Sequence, residues 1–66
     1  MRYTNSEISA CIDEHIHSQI KRDILKSRLI DGMLFDDLAE MYGYSVRQIK
    51  RIVYKGQEEL IKHLEP

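Results

Sequence analysis

Apolar residues recur along this chain at three- and four-residue spacing. Ile8, Cys11, Ile12, His15 and Ile16 fall on one stripe, with Asp13, Glu14 and His17 pointing away from it. That is the pattern of an amphipathic helix. Thr4 and Glu7 stand ahead of it in the order S/T-x-x-E, a capping box. A first helix is expected over about 5–17. Ser18 can cap a second one over about 18–31, where Ile20, Ile24, Leu25 and Leu29 cover an arc broad enough for a helix packed between neighbours. Gly32 is expected to end it as a C′ residue.

A third, short helix is expected over 35–42 from the spacing of Phe35, Leu38, Ala39 and Tyr42. Asp36 and Asp37 occupy its first turn, where carboxylates favour the positive end of the helix dipole. Gly43 ends it. Ser45 and Gln48 then form a second capping box, S-x-x-Q, so a fourth helix opens at Val46. It runs to about Lys55, and its continuation to Leu64 stays open. Counting about 100° per residue from Ile49, Val53, Val46 and Ile52 lie within about 60° of it. Lys50, Tyr54, Arg47, Arg51, Lys55 and Gln48 all fall between about 100° and 260°. Gly56 returns to the apolar side, as either a close packing contact or a break.

The expected fold is therefore all-α. It is a small four-helix bundle, or a five-helix one if the segment after Gly56 forms its own helix. It is read as one domain over residues 1–66. Two short helices joined by three residues, the first of them glycine, make a helix-turn-helix unit over about 35–55. Glycine supplies the left-handed backbone that a Cβ resists. Ala39 supplies the small side chain where the two helices cross.

Charge sharpens this picture. The chain carries 10 Lys and Arg against 11 Asp and Glu, a net charge of −1. Yet the thirteen residues after Gly43 hold Arg47, Lys50, Arg51 and Lys55 and no acid. A near-neutral chain with one local basic face suits contact with phosphate through that face alone. A helix of this kind fits the major groove of B-DNA, about 12 Å wide. Arg47 and Arg51, one turn apart, suit guanine O6 and N7. Gln48 suits adenine unless the cap consumes it. Lys50 and Lys55 suit phosphates, Tyr54 a phosphate or a thymine methyl, and Ser45 a phosphate at the helix N-terminus.

Other classes find little support. One cysteine, Cys11, makes no internal disulfide and reads as a core residue in a reducing cytoplasm. His15 and His17 diverge on their helix, so no metal or cofactor is expected. No phosphate loop, nucleophile elbow or carboxylate pair points to an enzyme. No apolar run reaches the roughly 18 residues of a membrane span, and no signal peptide is read.

The segments "ILKSRLIDG", "DDLAEMYGYS" and "VRQIKRI" resemble the fourth conserved region of bacterial sigma factors. The resemblance is closest to short stand-alone proteins of that type from Firmicute bacteria and their mobile elements, and it covers residues from about 22 to 60. It implies a compact helical bundle in the bacterial cytoplasm, a promoter-reading helix in the major groove, and contact with RNA polymerase. The family usually has Thr or Ser at the start of the third helix, as cap and phosphate contact. Here that place holds Leu34. The region that melts promoter DNA finds no room, so the reading is a small regulator rather than a complete sigma factor. Recombinase and response-regulator DNA-binding domains share the motif. Double-stranded DNA is the expected partner, bound weakly by a monomer or by a homodimer on a two-fold site. The alternative is a protein-interaction module that binds RNA polymerase or another transcription protein without reading DNA.

Overall fold

The computed structural model describes residues 3–64. Its helices in chain order are α1 (Asn5–His15), α2 (Gln19–Leu29), α3 (Phe35–Tyr42) and α4 (Val46–Leu64). No strand occurs among the described residues. The fold is all-α, and residues 57–64 continue α4 instead of forming a fifth helix.

The Thr4–Glu7 capping box is formed. The Glu7 N–H donates to Thr4 Oγ1 at 3.1 Å, and the Thr4 N–H donates to Glu7 Oε1 at 3.1 Å. α1 ends at His15, two residues earlier than its spacing suggests. Ile16 is extended (φ −103°, ψ 116°), and Ser18 is extended too, as an N-cap must be. The Arg22 Nε–H donates to the Ile16 carbonyl, which holds this link against α2. α2 likewise stops at Leu29, before the expected 31. Gly32 follows with φ +72°, and the Met33 N–H returns to the Ser27 carbonyl at 3.1 Å.

Two buried clusters hold the helices together. Ile24, Leu38, Ala39, Ile49 and Val53 form the first, and Cys11, Ile12, Leu25 and Leu60 form the second. α2 places adjacent residues, Ile24 and Leu25, in different clusters, which is why its apolar arc is broad. Ile20, on that arc by spacing, stands exposed. Ile12, Ile24, Leu25, Leu38, Ile49 and Val53 are essentially inaccessible to solvent. Burying side chains of this kind contributes about 1.5–3 kcal/mol each before the chain's entropy is counted. The α2, α3 and α4 segments share the first cluster, whereas α1 rests only on the second.

Candidate nucleic-acid interface

α3 leads into α4 through residues 43–45. Gly43 is left-handed (φ 73°, ψ 27°). A Cβ built there would meet no atom within 4 Å. The backbone angle, not lack of space, therefore calls for glycine. The N–H groups of Gly43 and Tyr44 both return to the Ala39 carbonyl. Ala39 is buried and Leu38 is fully enclosed against Ile49 and Val53. The start of α4 is thereby fixed relative to α3.

Ser45 opens α4 with the second capping box. Its hydroxyl accepts the Gln48 N–H at 3.2 Å, and Gln48 Oε1 accepts the Ser45 N–H at 2.9 Å. The Ser45 hydroxyl also donates to Gln48 Oε1 at 3.2 Å. Pairing with adenine needs both an acceptor and a donor from the amide. The Gln48 oxygen is already taken twice, so the adenine role assigned from sequence requires the cap to open. The Ser45 hydroxyl is similarly engaged, leaving backbone N–H groups of the first turn as its contribution to an anion site.

The remaining site residues lie on the exposed side of α4, while Ile49 and Val53 point inward. Arg47, Lys50, Arg51, Tyr54 and Lys55 are all exposed, Tyr54 at 53%. Among the described residues the ion pairs lie elsewhere, at Lys26–Asp13, Lys62–Glu59 and the two histidine contacts with Glu14 and Glu59. The four cations of this face are thus left without a carboxylate partner.

Tertiary packing adds three residues that periodicity along α4 cannot reveal. The Phe35 ring lies edge-on to Tyr54, with centroids 6.0 Å apart. Arg28 sits over that ring at 4.1 Å, and Lys50 lies 5.7 Å from it. Arg28 Nη1 also donates to the Met33 carbonyl at 2.8 Å, which fixes the guanidinium beside the α4 face. On the other flank Lys21 joins Arg51 and Lys55 around a cleft of about 250 Å³ whose walls include Ile16, Leu25 and Ile52. The signal for Lys21 and Arg28 lies only in the fold, since both ride on α2.

Elsewhere, the rings of His15 and His63 stack at 3.5 Å, 3° from parallel. Among the described residues no group of three or more His, Cys, Asp or Glu side chains is arranged to hold a metal ion. No helix among them is long and apolar enough to cross a membrane. Comparison with protein-family models, curated proteins and solved structures gives no match for this chain.

Proposed function

We propose that α3, the Gly43 turn and the first part of α4 act as a helix-turn-helix that reads double-stranded DNA, in a small transcriptional regulator of the sigma-region-four type. The observation that carries this reading is the exposed face of Arg47, Lys50, Arg51 and Lys55, which form no ion pair among the described residues and are set on a helix whose orientation the buried Leu38–Ile49 packing fixes. In this reading Arg47 and Arg51 meet base edges. Lys50, Lys55 and the first-turn N–H groups beside Ser45 meet phosphates. Tyr54, buttressed by Phe35, lies against the backbone or a thymine methyl. Gln48 serves first as the cap.

Selection of random duplex DNA by the purified protein at about 100 mM salt tests the reading, because phosphate contacts still count in that regime. A recovered motif is the expected result, and its symmetry reports whether a monomer or a two-fold dimer binds. Arg51→Ala should lower discrimination at one position by about 1–3 kcal/mol. Two cationic phosphate contacts, Lys50 and Lys55, predict a log–log salt slope of about −2. Arg51→Ala binding the selected site as well as wild type would displace α4 as the reading helix.

A second reading, a protein-interaction module contacting RNA polymerase or another transcription protein, draws on the acidic outer face of α3. Leu34 and Met41 stand exposed there beside Asp36, Asp37 and Glu40. Stable binding to RNA polymerase or another transcription protein, with no enriched DNA motif, is the outcome that favours it.

A further inference from the structure

Two surfaces of this molecule are opposite in charge, and both combine apolar with charged side chains. The first is the cleft between α2 and α4. Its apolar walls, Ile16, Leu25 and Ile52, carry Lys21, Arg51 and Lys55 at the rim, and no carboxylate lines it. Such a cleft is more than a phosphate site needs, since a phosphate gains nothing from an apolar floor. It fits an aliphatic side chain flanked by acids.

The second surface is the outer stripe of α3. Leu34, Asp37 and Met41 are spaced i, i+3 and i+7, so they stand one above another on the helix. Leu34 is 63% exposed and Met41 61%, large values for residues of their size. Glu40, three residues after Asp37, borders the stripe on one side, and all three acids of α3 are exposed. No cation occurs within α3. The stripe therefore presents aliphatic knobs bordered by carboxylates, the chemistry that the cleft is shaped to receive.

We propose that a second copy of this chain occupies the cleft, inserting its Leu34 side chain between Ile16 and Ile52 while its Asp37 and Glu40 meet Lys21 and Lys55. The two contacting surfaces differ, so the association is head-to-tail. Each added copy leaves one cleft and one stripe open, and the series grows unless it closes into a ring. Charge complementarity steers the encounter and sets the register. The proposal stands apart from DNA reading, but it uses Arg51 and Lys55. Bound DNA and a bound second copy therefore exclude each other at this cleft.

Sedimentation velocity of the full chain without DNA tests this. The sedimentation coefficient should rise with concentration and fall back as salt screens the contact. D37K/E40K should sediment as a monomer, and so should K21E/K55E. An equimolar mixture of the two should recover association, because each supplies the surface that complements the other's. Leu34→Ser provides an independent arm, reducing association without loss of helicity by circular dichroism. A wild type that stays monomeric throughout overturns the proposal. So does association that survives both charge reversals, which would run through another face such as the apolar groove beside Ile61. None of these measurements contains DNA, so their failure leaves the DNA-reading proposal untouched.

Discussion

The Leu25 side chain occupies the space that a Cβ on Gly56 would take. Built on the backbone, that Cβ would lie 2.5 Å from one Leu25 methyl carbon and 2.6 Å from the other. Gly56 is itself buried in the middle of α4. It lies between Val53 of one cluster and Leu60 of the other, where α4 packs directly on Leu25 of α2. A glycine in a helix interior costs about 1 kcal/mol relative to alanine, and here the contact with Leu25 offsets that cost.

Gly56→Ala should therefore destabilise the protein. The helix gains about 1 kcal/mol of propensity, but Leu25, fully buried, must move into a packed cluster, and overpacking costs about 1–3 kcal/mol. A net loss of about 1 kcal/mol is expected from urea midpoints. The same substitution made in Leu25→Val should cost less. An equal or larger penalty there would show that Leu25 is not the obstacle.

Leu34→Ser should stabilise. Leu34 holds N-cap geometry (φ −72°, ψ 151°) with no side-chain cap hydrogen bond, and its exposed side chain gives up little burial. A serine oxygen in that place can accept an N–H of the first turn, contributing about 1 kcal/mol. The melting temperature should rise by about 4–8 °C for a chain of this size. Leu34→Ala lacks the oxygen and should bring no such rise.

Cys11 should resist alkylation in the folded protein. Burial pushes its thiol pKa up, and the Glu14 carboxylate adds to the shift. The folded chain therefore holds the proton at a pH where the unfolded chain, with a thiol pKa of about 8.5, releases it. That contribution to stability is complete below about pH 8.5 and is lost as pH rises through the folded value. Urea midpoints compared on either side of that pH should show the fall, and Cys11→Ala should lessen it. An alkylation rate equal to that of the denatured chain would contradict this environment for the thiol.

α1 should open before the other helices. Its buried residues, Cys11 and Ile12, belong to the second cluster only. Its ion pair to α2, Asp13 to Lys26 at 2.8 Å, is partly exposed. Exposed pairs contribute little, about 0–1 kcal/mol. Native-state hydrogen exchange should find α1 amides less protected than those of Ile49–Val53. Equal protection would mean that the chain opens only as a whole.

Phe35, Leu38, Ala39 and Tyr42, bounded by Gly43, read directly as α3, and the Ser45–Gln48 pair reads directly as the start of α4. These are local signals, carried by side chains within one turn of the feature they specify. The early ends of α1 and α2 are different. His15, Ile16 and His17 continue the helical spacing, and no glycine or proline marks the break. Ser18 was legible as a cap, but only the extended Ile16 shows how the chain leaves α1 ahead of it. Lys21, Arg28 and Phe35 join the candidate interface through the packing of α2 and α3 against α4, which no single-helix periodicity contains. Gly56 sits between the cases: its buried side is readable from angle, but its neighbour, Leu25, is not.

α4 is one unbroken helix of 19 residues, about 28 Å at 1.5 Å per residue. Its first turns carry the cationic face, and its last turns stack against α1 through His63 and Leu60. With Gly56 serving as a seat for Leu25 and not a joint, one continuous rod carries the cationic face near one end and the residue that packs on α1 near the other.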